Sequence, residues 1–221
     1  SASIQSAFLL SRMLDGQTAK PSLGTYGSKL FAFTDDLDVS NRFYHGLLDA
    51  EGRNHLGRLD RNRYPDGGLA HLRQPIPSDS RDFNGQNWRA PENLGHDLSA
   101  SKEICRTTSQ DPGVADGKDI VVATASLEVG FNDPEVGAVL QHKAPRNIAS
   151  FIQRKGRAGR LQKMRPWTLV ILSDYGRDRL AYQSYETLFD PELELQAIPL
   201  SSKHIQKIQS VYSLFDYLCA E

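Results

Sequence analysis

Cysteine is nearly absent from the 221 residues. Cys105 and Cys219 are the only two. They lie too far apart for a disulfide framework or a zinc spacing, and they read as reduced thiols. Long apolar runs are missing too. None approaches the ~18–20 residues that a membrane span requires, so no membrane partner is expected. The N-terminus lacks the basic segment, apolar stretch and small-residue cleavage site of a secretory leader, and the expected compartment is cytoplasmic. The chain opens on Ser1 and not on Met, as an excised fragment or a processed chain would. The formal net charge is −1, so bulk electrostatics give no pull toward a polyanion. His45, His55, His71, His96, His142 and His204 show no ligand spacing, and no metal site is expected. Nowhere is there a Gly-x-x-x-x-Gly-Lys-Ser/Thr phosphate loop.

What is present reads as one globular domain over 1–221, with 39% hydrophobic and 24% charged residues. Residues 4–14 have the pattern of a short amphipathic helix. Lys29 to Thr34 is a buried-strand run, and Asp35 or Asp36 then caps a helix reaching Ala50. Residues 52–100 break this rhythm with Pro65, Gly67, Gly68, Pro75, Pro77 and Pro91 among many polar residues. They read as an irregular insertion, in which Trp88 either packs on neighbouring loops or stacks on a base. Regular structure resumes near Ile104. Strands are expected at Asp119–Thr124, Val136–Leu140 and Trp167–Leu172, with Trp167 in the core. Helices are expected at Asn147–Lys155, about 176–188 and 203–219, the last with an apolar packing face. The alternation implies an α/β fold: a largely parallel sheet flanked by helices. Ligands of such sheets gather beyond the carboxyl ends of the strands, which directs attention to the loops after Phe33, Thr124 and Leu140.

Charge is local where the total is neutral. From Lys143 to Arg165 there are eight basic residues and no acidic one (Lys143, Arg146, Arg154, Lys155, Arg157, Arg160, Lys163, Arg165). That suits phosphate binding at one site, and equally a solvated helix face. Its centre is Gln153-Arg-Lys-Gly-Arg-Ala-Gly-Arg160. Glycines let a ligand approach the backbone closely, and arginine's planar fork matches phosphate oxygens. Such a segment can clamp a γ-phosphate or form a basic turn in water.

The segment resembles motif VI of superfamily 2 nucleic-acid helicases, Gln/His-Arg-x-Gly-Arg-x-Gly-Arg, at every defined position. Upstream, Val122-Ala-Thr-Ala-Ser-Leu-Glu-Val-Gly-Phe-Asn132 resembles motif V. Pro145 fits the proline often found between the two, and Leu30-Phe-Ala-Phe-Thr34 resembles motif IV. The resemblance implies a C-terminal, RecA-like lobe. It implies that Arg157 and Arg160 reach the ATP γ-phosphate across a lobe interface. Gln153 would link to the first lobe's acidic box, and Arg154 would support the interface. Gly130 would allow close approach beside the nucleotide, while Thr124 and Ala125 would lie at the nucleic-acid backbone. The family commonly has Asp where Asn132 stands as the ribose acceptor; Asn still accepts through its carbonyl, and Asp133 is an alternative. Glu128 is either a surface carboxylate or a contact of the closed state.

The expected function is therefore half of an ATP-dependent helicase or translocase, inactive alone. ATP and Mg²⁺ belong to the parent protein, with Mg²⁺ held by a first lobe whose acidic box this sequence lacks; none is expected to bind tightly here. The expected partners are that N-terminal lobe and a nucleic acid. The Ala-Ser-Leu-Glu-Val-Gly form resembles bacterial DNA helicases more than DEAD-box proteins and favours DNA over RNA. The alternatives are a non-catalytic scaffold lobe that binds nucleic acid or protein through residues 52–100, and a nucleotide-binding α/β protein of another class, which the missing phosphate loop disfavours.

Overall fold

The computed structural model describes residues 2–14, 22–65, 88–96, 98–108, 114, 116–127, 131–193 and 202–219. Two compact units are present, residues 1–191 and 192–221.

The first unit is built on a five-stranded sheet of order β2-β3-β1-β4-β5. The strands are β1 (Lys29–Phe33), β2 (Ile104–Thr107), β3 (Ile120–Ala123), β4 (Val136–His142) and β5 (Trp167–Ile171). Every neighbouring pair is parallel. A parallel sheet is covered on both faces, so its central strands must be apolar throughout. That is why Leu30 to Phe33 and Ile120 to Ala123 are unbroken hydrophobic runs, all buried. Alternate side chains serve opposite faces. Leu30, Ala32, Ile120, Val122, Ala138 and Leu140 pack with α1 (Ala2–Ser11) and α2 (Leu37–Ala50). Phe31, Phe33, Val121, Ala123 and Val139 face the other way, toward Leu127, Val136 and Ala158.

Asp36 is the residue that starts α2. Its backbone is extended (φ −141°, ψ 135°), and its carboxylate accepts from Asp38 N at 2.8 Å and Val39 N at 3.4 Å, satisfying two amides with no helical partner. Asn147 does the same for α4 (Ile148–Lys155), accepting from Ala149 N at 2.8 Å and Ser150 N at 3.4 Å.

The described ends of the insertion belong to the core. Trp88 is 3% exposed and packs with Leu98 in the α1/α2 cluster, so its indole is not available to a base. A short helix, α3 (Arg89–Asn93), follows it. Arg53 joins the insertion's start to Glu103 at 2.6 Å, just before β2. Residues 66–87 lie outside the described residues.

Two expectations fail at the far side of the sheet. Trp167 is 43% exposed rather than core, because β5 is the edge strand and Trp167 stands at its start, meeting Tyr26 with a ring separation of 6.4 Å. The helix expected at about 176–188 is two helices, α5 (Gly176–Gln183) and α6 (Glu186–Phe189), interrupted at Ser184. In the second unit, α7 (Lys203–Cys219) forms as expected, with Tyr212, Phe215 and Leu218 exposed. Among the described residues no helix is long and apolar enough to cross a membrane.

Candidate nucleotide and nucleic-acid sites

Parallel strands bring the ends of β3, β1 and β4 to one edge. There Thr34 N donates to Ala123 O at 3.0 Å, holding the start of the loop after β1 against β3. Thr124 is half-buried and Ala125 exposed, at the head of a single 3₁₀ turn, Ala125–Leu127. Ser126 Oγ anchors that turn by donating to Thr107 O at 3.2 Å. Leu127 packs on the Phe31/Phe33 face of the sheet, and the described residues resume at Phe131, ahead of the amino end of β4. Gly130 and Glu128 lie outside the described residues.

Phe131, Asn132 and Asp133 stand there. Phe131 packs on Phe31, with ring centroids 5.8 Å apart, and Asn132 is exposed. Asp133, the alternative acceptor drawn from sequence, is engaged within the chain. Its Oδ2 meets Lys29 Nζ at 2.5 Å, and its Oδ1 accepts from Glu135 N at 2.9 Å. Burial works against the Lys29 charge, but Asp133 and then Glu135 outweigh it and raise its pKa.

Helix α4 carries the arginine segment back along the same face. Arg154 is only 4% exposed. Its Nη1 donates to the Asp35 carboxylate and to Gln141 Oε1 at 2.9 Å, and the guanidinium lies 5.5 Å from the Phe33 ring. Asp35 is the hub of this interior cluster. It also accepts from Arg146 N at 2.9 Å, and Arg177 stands 3.9 Å away. The structure thus puts Arg154 inside the lobe, where it ties α4 to the ends of β1 and β4. Gln153, one residue before it, is exposed.

Beyond α4, Arg157 is half-buried and donates from Nη1 to Phe131 O at 2.6 Å. This single bond brings the motif VI and motif V segments together beside Asn132. Arg160 is exposed. The two glycines of the segment differ. Gly159 has φ +77°, and a Cβ there would lie 2.6 Å from Pro166 Cγ; its N donates to Val136 O at 3.1 Å. Gly156 has φ −70°, and its Cβ would meet Ile152 O at 3.3 Å. Close approach is thus a requirement at Gly159, where the partner is Pro166.

Two corrections follow. The eight basic residues are not one patch: Lys143 and Arg146 follow β4, Arg154 is interior, and Arg157 and Arg160 lie past α4. Nor does all the candidate chemistry share the carboxyl edge. Thr124 is there, but Gly159 is bonded to the first residue of β4. The segment that resembles motif V thus starts at the carboxyl end of β3 and finishes just before the amino end of β4.

Sequence reading missed Asp178. It is 4% exposed and accepts from Ala144 N at 2.8 Å, Ser173 N at 2.9 Å and Ser173 Oγ at 2.6 Å. Burial would raise its pKa, but the Ser173 hydroxyl, the two backbone amides and the Lys143 charge hold it below the ordinary value. It bolts the loop after β4 to the loop after β5. Nothing in a helix-forming Gly-Arg-Asp-Arg sequence marks an inward carboxylate. Among the described residues there is no group of three or more His, Cys, Asp and Glu that could hold a metal ion.

Residues 102–162 match the helicase conserved C-terminal domain. They include β2, β3, β4, α4 and the arginine segment. The match is confined to this segment, which lies within a parallel sheet with helices on its faces. A putative ATP-dependent RNA helicase of Acanthamoeba polyphaga mimivirus is 49% identical over 41 residues, 19% of this chain and 8% of that protein. Among solved structures, the Mycobacterium smegmatis helicase Lhr bound to ssDNA and AMP-PNP is similar at TM-score 0.44 and 18% identity, over 80% of this chain and 19% of Lhr. Dbp5 of S. cerevisiae, bound to RNA and ADP BeF3, is similar at 0.40 and 14%, over 94% and 41%. The chain thus spans less than half the length of each of these proteins.

Proposed function

We propose that this chain is the second lobe of an ATP-dependent nucleic-acid helicase or translocase, supplying Arg157 and Arg160 to an ATP site completed by a first lobe. The observation that carries the reading is the Arg157–Phe131 hydrogen bond of 2.6 Å beside an exposed Asn132. It sets a guanidinium beside the residue read as the ribose acceptor, and Arg160, three residues on, is exposed. In this reading ATP draws the lobes together, and the arginines meet negative charge spreading over the transferring phosphoryl group. A finger of this kind contributes ~10³–10⁵ in rate, about 4–7 kcal/mol of barrier. Gly130 lets the backbone approach the nucleotide, and Gln153 faces the first lobe's acidic box, which also holds Mg²⁺. Arg154 acts as a positioning residue through Asp35 and Gln141. Thr124 and Ala125 meet the nucleic-acid backbone, where a hydroxyl and amides donate to phosphate without reading sequence.

The lobe alone hydrolyses nothing in this account, because it has no phosphate loop. DNA is favoured by the Ala-Ser-Leu-Glu-Val-Gly segment and RNA by the name of the viral relative, so the proposal stops at nucleic acid. A cytoplasmic setting fits the scarcity of cysteine. A scaffold lobe without catalysis would have no use for the exposed Arg160. The test is nucleic-acid-stimulated ATP turnover by the parent protein. Arg157→Ala and Arg160→Ala are each expected to lower kcat at least 100-fold, while the neighbouring Lys163→Ala leaves it within twofold. Stimulated turnover that survives both arginine substitutions refutes the assignment.

A further inference from the structure

The carboxyl edge continues past the residues assigned above. Sheet order places the end of β3 (Thr124) first, then β1 (Thr34), β4 (Lys143) and β5 (Ser173). With strands about 4.8 Å apart, the row from β3 to β5 spans roughly 14 Å. At its far end Tyr175 is 68% exposed, and Lys143 Nζ lies 5.9 Å from the centre of its ring.

The loops that carry the pair are tied to each other. Among the described residues Lys143 is one of two non-glycine residues with positive φ, at 68°, a conformation that persists where the surroundings enforce it. Here Lys143 N donates to Ile171 O at 2.8 Å, and Asp178 clamps Ala144 N and Ser173 N on either side. Arg177 Nη2 adds a bond to Ala144 O at 2.7 Å. These bonds tie together the backbones of the two loops that carry the Tyr175 ring and the Lys143 ammonium. Nearby charge is unevenly available. Asp35 and Asp178 are committed to interior partners, and Asp36 caps α2. Arg146 and Arg177 are 61% and 50% exposed and stand 3.9 Å from Asp36 (45% exposed) and from Asp35, and the acid Asp174 is exposed.

We propose that Tyr175 and Lys143 form a stacking-and-phosphate platform that extends the nucleic-acid track from Thr124 across the end of the sheet. The occupant is a single strand, because a base needs only an open π-face and a phosphate needs only the adjacent cation. The inference rests on the lobe binding nucleic acid at Thr124, as proposed above.

The test is binding of the parent protein to a labelled 20-nucleotide oligo-dT and to an abasic strand of equal length, followed by anisotropy across a salt series. Tyr175→Ala is expected to weaken oligo-dT binding roughly 5–150-fold, the range for losing one stacked base, with the abasic strand affected less than about twofold. Tyr175→Phe keeps the ring and restores affinity, which a folding defect would not distinguish in this way. Lys143→Asn, a residue that tolerates positive φ, lowers the salt slope by about 0.7, one single-strand phosphate contact. Thr124→Ala separates the two proposals. If it weakens binding while Tyr175→Ala does not, the platform is overturned, the nucleic-acid reading stands, and Tyr175 is left to a protein contact. If neither substitution weakens binding, both readings fall.

Discussion

Arg154 offers the sharpest check on the interior of the lobe, because a motif residue that looks like a ligand contact is held in a buried ion pair. The perturbation is Arg154→Met, which keeps length and apolar bulk while removing charge. In the wild type the guanidinium is 4% exposed and the Asp35 side chain 13% exposed. Removing one partner of a buried pair costs about 3–5 kcal/mol, since the other charge stays buried without compensation. Asp35 keeps the Arg146 amide at 2.9 Å and Arg177 at 3.9 Å, which moves the expectation to the lower end. Against that, Gln141, fully buried, loses its 2.9 Å donor. About 3–4 kcal/mol is the balance. At a urea m-value of about 2 kcal/mol/M, the midpoint falls by roughly 1.5–2 M. Asp35→Asn alone is expected to cost about 2 kcal/mol, and the double variant no more than Arg154→Met, giving a coupling near 2 kcal/mol. The assay is equilibrium urea unfolding of the four proteins by circular dichroism. Single-variant losses under 1 kcal/mol, or strictly additive losses, refute the buried pair.

Three further outcomes follow from named contacts. Asp178→Ala removes a charged acceptor from Ala144 N, Ser173 N and Ser173 Oγ; at about 1.5–3 kcal/mol for a single charge-assisted bond, a loss of roughly 3 kcal/mol is expected in urea unfolding. Gly159→Ala meets both φ +77° and the Pro166 ring at 2.6 Å and is expected to cost several-fold more than Gly156→Ala, which should stay within about 1 kcal/mol; the comparison of their melting curves checks it. His142, bonded to Ser3 Oγ at 2.9 Å and stacked on Phe43, has its pKa lowered from 6.5 by burial and then by Lys143. The unfolded chain therefore binds more protons below pH 6.5, and stability falls as pH drops through that window until the folded-state value is passed. His142→Gln is expected to flatten this limb in urea midpoints between pH 5 and 7.

Most of the frame was legible because parallel strands advertise themselves. Leu30–Phe33 and Ile120–Ala123 must be apolar on both faces, and Asp36, one of the two caps expected, starts α2, while Asn147, read as the first residue of its helix, is its cap. Trp167 was misread because strand order is not written in a strand's own sequence; only the pairing with β4 alone makes β5 an edge. The site was legible as a motif and not as a geometry. Arg154 and Asp35 are 119 residues apart, so no local pattern betrays that one arginine of the basic segment turns inward. The separation of Thr124 from Gly159 depends on where β4 inserts, beside β1 and not beside β3. The role of Gly159 was half legible: the need for glycine was expected, but the partner is Pro166.

The most direct test of the central claim is single-turnover ATP hydrolysis by the parent protein with nucleic acid and nucleotide both saturating, comparing wild type with Arg160→Ala. The account predicts a chemical step slowed at least 100-fold, with nucleotide affinity changed less than about fivefold, because the guanidinium acts on charge that develops during transfer. An unchanged single-turnover rate, or a loss confined to affinity, would contradict it.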